Sequence, residues 1–149
     1  MSNEDGRTGI YRCPASGGDA IALSQDTNGF FAQESFDGRT VYFSSRAANP
    51  VLKKVSLTAL PGTASDVEGL PHPRSGTMWT LSSGGIYFVP TEAPKSVRYF
   101  DFATKHVRPI FEVDKDFGSG LSVSADGRWV IYSLVGDLNS DIMVVDHFH

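Results

Sequence analysis

Hydrophobic and polar positions alternate along this chain in short runs, and clusters of Gly, Pro, Ser, Asn and Asp interrupt the runs. No stretch carries an apolar stripe at helical spacing, so the pattern predicts an all-β protein. Three strands rich in β-branched and aromatic residues are expected at residues 40–44, 86–89 and 129–133. Each leaves a tight turn, at Asp37-Gly38, Gly84-Gly85 and Asp126-Gly127 respectively. Gly can take positive φ in such a turn, and Asp can bond the backbone two residues on. A third strand follows each at 52–57, 97–102 and 141–145, and a fourth is expected at 64–69 and 107–113.

The turns recur at spacings of 47 and 42 residues, around the period of about 40–45 that marks a four-stranded propeller blade. The chain therefore reads as one partial β-propeller domain, 1–149, with antiparallel blade portions at 9–29, 30–70, 75–114 and 118–149. Residues 9–14 and 20–24 look like a third and fourth strand without a first or second. The last portion has no fourth. About three blades result, fewer than the four to eight of a closed propeller.

The elements "SxDGRxVxxS", "DIMVVD" and "GIYRCPASGG" resemble the WD-repeat-like propeller repeats of the TolB type. Residues 96–149 are similar to the C-terminal end of large bacterial proteins in which such a propeller follows a winged-helix DNA-binding or a kinase domain. The resemblance implies a sensing or interaction module. Phe36 and Ala125 stand where the family has Pro before Asp-Gly, and Gly84 replaces the Asp of the middle turn.

Composition narrows the function. The net charge is −4, and no basic cluster exceeds the pair Lys53-Lys54, which argues against nucleic-acid binding by this chain. No apolar run has the length of a membrane span, and the first residues do not read as a signal peptide. A cytoplasmic, membrane-free module is expected. The lone Cys13, in an alternating stretch, is expected as a small buried hydrophobe.

The sequence holds no Gly-x-Ser-x-Gly elbow, Walker loop, His-Glu-x-x-His or Cys pair, and no cofactor or metal is expected. Asp137-x-Asn139-x-Asp141 is a fragment of a calcium-loop pattern without its Gly and Glu, and reads as a polar turn. His72, His106, His147 and His149 read as solvated imidazoles, with His106 in a hairpin turn.

The inner strands offer Gln33, Glu34, Thr80 and Ser122 as candidates to line a central channel. Glu34 shares its position with Leu81 and Val123. It is expected either as a satisfied buried acid between blades or as a channel-facing group. A non-enzymatic module for protein or small-ligand recognition follows. The alternatives are a lactonase-like hydrolase with a channel metal, or a fragment that completes a larger regulator. Bare terminal faces predict a homodimer forming a six-bladed ring, with the N-terminal strand at 20–24 of one chain completing the last blade of the other.

Overall fold

The computed structural model describes residues 9–24 and 28–136, and the backbone of 140–145. Asp137 and Asn139 of the calcium-like pattern, and His147 and His149, lie outside the described residues. The chain divides into two compact units, one ending in sequence at Val67 and the other beginning at Glu68. The described residues contain strands and turns only, and the sheets are antiparallel meanders in sequence order.

The first unit holds a two-stranded ribbon, β1 (Tyr11–Arg12) and β2 (Ile21–Ala22), and a four-stranded sheet. That sheet is β3 (Gly29–Glu34), β4 (Thr40–Ser45), β5 (Leu52–Ser56) and β6 (Ser65–Asp66). The second unit holds β7 (Trp79–Leu81), β8 (Gly85–Phe88), β9 (Ser96–Asp101) and β10 (Val107–Glu112) in one sheet. Its other sheet is β11 (Phe117–Val123), β12 (Val130–Val135) and β13 (Ser140–Val145). These are the four-stranded antiparallel repeats that the periodicity predicts. The fourth strand β6 is only two residues long.

The two Asp-Gly turns are copies of each other. Ser35 Oγ donates to Asp37 Oδ1 at 2.6 Å, the Arg39 amide donates to the same oxygen at 3.0 Å, and the Thr40 amide donates to Ser35 Oγ at 3.0 Å. In the last sheet the bonds are Ser124 to Asp126 at 2.5 Å, Arg128 to Asp126 at 3.1 Å and Trp129 to Ser124 at 3.0 Å. Gly38 and Gly127 sit at φ of 69° and 70°, where a side chain is strained. The serine two residues before each Asp is therefore as much part of the turn as the Asp.

The middle turn differs from its expected form. The Ser82 amide donates to the Gly85 carbonyl at 2.9 Å, so the loop is only Ser83-Gly84 and Gly85 already belongs to β8. Gly85 is needed for space, not for positive φ. A Cβ there would overlap the Phe100 carbonyl oxygen and lie 2.7 Å from Tyr99 Cζ. This shorter loop explains the uneven turn spacing. Val41, Ile86 and Val130, which pair with the last residue of each inner strand, are 45 and 44 residues apart.

Side chains alternate between the faces of a sheet, and each face needs a cover. In the second unit, Met78, Val89 and Val97 pack against Phe117, Leu121, Val130, Tyr132 and Leu134. Phe111 and Phe117 lie 5.2 and 5.4 Å from the Tyr132 ring, and burial raises the Tyr132 pKa. Tyr87 packs against the same core and lies 4.8 Å from Tyr99, whose other side carries the Arg108 guanidinium at 5.0 Å. The opposite face of this sheet, with Trp79, Ile86, Phe88 and Phe100, is wholly buried. The Trp79 ring N–H donates to the Gly76 carbonyl at 3.0 Å. The aromatics of β9 are thus packing residues.

The first unit has a smaller core of Leu23, Val41, Phe43 and Val55, joined by Ile10, Leu57, Leu60 and Ala64. Ile10 lies where a Cβ on Gly29 would fall, so Gly29 admits the ribbon onto the sheet. Cys13 corrects an expectation: it is exposed, with its Sγ 3.3 Å from the Gly18 carbonyl. The ribbon strands are two residues each, so the alternation around Cys13 runs out into an exposed loop and buries nothing.

Two outcomes test this description. Replacing Gly85 with Ala should destabilise by about 3 kcal/mol, because the backbone carbonyl it meets cannot retreat. Gly84→Ala meets only the Tyr99 hydroxyl and should cost under about 1 kcal/mol. Urea denaturation measures both. The second outcome concerns acid. The Ser35 and Ser124 hydroxyls, then the Arg39 and Arg128 amides, hold the Asp37 and Asp126 carboxyls below their ordinary value of 3.8. A carboxyl with a lowered folded-state pKa contributes stability that is fully present above the ordinary value and is lost as pH falls through the folded-state value. The double variant Asp37→Ala/Asp126→Ala should melt a few degrees lower than the parent at pH 7. The gap should narrow steadily in melting curves taken at pH values further and further below 3.8.

Candidate functional site

The candidate residues sort by the face each strand presents. Glu34, Leu81 and Val123 are the last paired residues of β3, β7 and β11, opposite Val41, Ile86 and Val130. Gln33, Thr80 and Ser122 precede them, opposite Tyr42, Tyr87 and Ile131. Neighbours along a strand point to opposite faces, yet at this strand end Gln33 and Glu34 both line one groove of the first unit.

In the second unit, Thr80 is buried, on the face that carries Tyr87 toward the core between the two sheets. Ser122 is exposed, on the side of β11 away from that core. Thr80 and Ser122 are therefore not brought together. In the first unit, Gln33 is half-buried and Glu34 is exposed. Glu34 is not the buried acid that its apolar counterparts suggested. Its side chain is 45% exposed, and Oε1 lies 3.9 Å from an Arg12 nitrogen.

The donor set does not suit a divalent cation. Gln33, Thr80 and Ser122 bring no carboxylate, and Glu34 is the single one among the four candidates. Among the described residues, no three His, Cys, Asp or Glu side chains gather in a metal-binding group. His72 and His106 are exposed and lie in connecting loops. The Asp101 carboxylate accepts from the amides of Ala103 and Thr104 and closes the loop that carries His106.

The structure instead brings out two faces, one in each unit. In the first unit, Leu81 and Val123 have Glu34 as their counterpart, and Trp79 and Leu121 have Ala32. Trp79, Leu81 and Leu121 are buried and Val123 packs against a core, but Ala32 and Glu34 are exposed. The reason is the two-stranded ribbon. It covers Phe43 and Val55 but leaves a groove of about 170 Å³, with Leu23 and Val41 below and Tyr11, Arg12, Ala32 and Glu34 around it.

In the second unit, Tyr87 and Val89 are covered, and their counterparts on β12 are Ile131 and Ser133. Ile131 remains 40% exposed and Val135 56%. A groove of about 270 Å³ runs across this sheet between Ser122, Gly120, Ile131 and Ser133. The backbone opens there because β11 is irregular between Phe117 and Leu121, with Gly120 at φ 93°. Sequence periodicity contained this signal, since Ile131 and Val135 are apolar at alternate positions on the side away from the core.

No family model matches the chain, and no curated protein matches it. Solved structures do. TolB from Acinetobacter baumannii superposes with a TM-score of 0.73 at 20% identity, over 97% of this chain. A structure from a study of two prolyl endopeptidases, concerned with inter-domain dynamics in catalysis and specificity, superposes with a TM-score of 0.61 at 19% identity, over 94% of this chain. The chain spans 36% of the TolB chain and 24% of the endopeptidase chain. At this identity the likeness speaks for the fold, and it agrees with the strand order and the repeated turns: the chain is built of TolB-like β-propeller repeats.

Proposed function

We propose that this chain is a non-catalytic propeller module that recognises protein through uncovered sheet faces, and that a second copy of the chain is a partner. One observation carries the reading. Ile131 and Val135 present apolar side chains to solvent on β12, whereas the same face of the preceding sheet, at Tyr87 and Val89, is packed under its neighbour. A blade buries its apolar faces only between other blades, so an uncovered face is a binding surface.

The exchange of residues 20–24 expected from the sequence is not part of this proposal. Those residues are engaged in their own unit: Leu23 is in the core, its amide donates to Ile10 and its carbonyl accepts from Gly62. Association through faces leaves these bonds intact. Two copies joined in this way would make about six blades, within the range of closed propellers. A hydrolase reading has the endopeptidase likeness behind it, but that likeness concerns the fold, and the four candidates Gln33, Glu34, Thr80 and Ser122 supply one carboxylate.

Sedimentation velocity tests the reading. The purified chain should sediment as a dimer. Ile131→Asp with Val135→Asp should weaken the dimer by about a hundredfold, roughly 2.7 kcal/mol, with the circular dichroism spectrum unchanged. A chain that stays monomeric at the highest concentrations, or a dimer indifferent to both substitutions, would overturn it.

A further inference from the structure

The groove of the first unit joins two features. Its floor is apolar, with Leu23 and Val41 buried and Ala32 beside them. Its rim carries one charge of each sign, Arg12 on β1 and Glu34 at the end of β3. These two side chains are about half exposed and 3.9 Å apart, beyond hydrogen-bonding distance, so each still has donors or acceptors to offer. We propose that this groove binds a free α-amino acid with an aliphatic side chain, held at its zwitterionic head by Arg12 and Glu34. The site stands apart from the self-association above, which uses Ile131 and Val135 of the other unit.

Charge complementarity selects the head of the ligand. An α-amino acid carries its ammonium and its carboxylate on one carbon, a spacing as short as the Arg12–Glu34 contact. Set over that contact, its carboxylate faces the guanidinium and its ammonium donates to Glu34, so the four charges alternate in sign. The guanidinium offers a planar fork of donors that matches a carboxylate. A simple fatty acid would instead set a second carboxylate beside Glu34, and a simple amine would set a second cation beside Arg12. The 3.9 Å pair is exposed enough to turn toward a ligand at little cost.

Size and rigidity select the rest. The groove holds about 170 Å³, below the roughly 300–1,000 Å³ of pockets for drug-sized ligands, so one aliphatic side chain fills it. Its walls are fixed by the backbone. The Leu23 amide donates to the Ile10 carbonyl at 2.9 Å, and the Leu23 carbonyl accepts from the Gly62 amide at 2.9 Å. Ile10 in turn sits where a Cβ on Gly29 would fall, which anchors the ribbon on the sheet. A groove formed beforehand spares the ligand the entropy of ordering it.

The test is a titration of the full chain with L-leucine, read from the methyl resonances of Leu23, Val41, Ile131 and Val135. Leucine should shift Leu23 and Val41 and leave Ile131 and Val135 in place. L-alanine, which lacks most of the apolar contact, should bind about tenfold more weakly. Isocaproate and isoamylamine, which are leucine without its ammonium and without its carboxylate, should each lose more than about fivefold. These four probes need no variant. Arg12→Gln and Glu34→Gln should each weaken leucine by about fivefold. Ala32→Leu fills the groove and should abolish binding. All three positions are exposed, so the variants should fold, and circular dichroism checks it. No methyl shift with leucine, shifts confined to Ile131 and Val135, isocaproate or isoamylamine binding as well as leucine, or leucine binding indifferent to the three substitutions would each overturn the site. Sedimentation of the same samples reports the self-association separately, so either proposal can fail alone.

Discussion

The constraint on which the rest depends is that a β-sheet with two apolar faces needs a cover on each. The middle sheet shows it met. One of its faces carries Trp79, Ile86, Phe88 and Phe100, all wholly buried, and the other packs Val89 and Val97 into a shared core. Each fully buried side chain of this kind contributes roughly 1.5–3 kcal/mol relative to exposure. Where a cover is partial the composition changes. Ala32 and Glu34 stand where covered sheets have Trp79, Leu81, Leu121 and Val123. A carboxylate can stay there because water and Arg12 still reach it.

The turns and edges serve the same constraint. Each repeat must bring its second strand back along the first in fixed register, because a slip of one residue would turn the apolar face outward. The Ser-x-Asp-Gly network fixes that register twice with the same bonds, and the middle repeat does it with a shorter loop and a glycine that clears the Phe100 carbonyl. The outer edges are kept from pairing. β6 has two residues and β10 carries Pro109, whose missing N–H cannot extend a ladder.

Among the candidates on the inner strands, Glu34 is the single carboxylate, and it lines a groove together with Gln33. The two grooves differ in kind. One is floored by Leu23 and Val41 and rimmed by an ion pair, and the other is floored by glycine backbone and flanked by Ile131.

The amino-acid order by itself determined the all-β class, the repeat, the position of nearly every strand and the role of Asp37 and Asp126. These are local properties: alternation within a run, a turn residue with a known backbone bond, a period set by chain length per blade. The role of Gly85 was not legible, because it depends on the Phe100 carbonyl and the Tyr99 ring brought across a sheet. The exposure of Cys13 was not legible either, since alternation predicts burial only where another layer lies above. Glu34 was singled out correctly as an anomaly among apolar counterparts, but its state was decided by the two-stranded ribbon, which stops short of covering it. Strand order and turn type are written along the chain; which faces are covered depends on residues far apart in sequence, and only the tertiary structure brings those together.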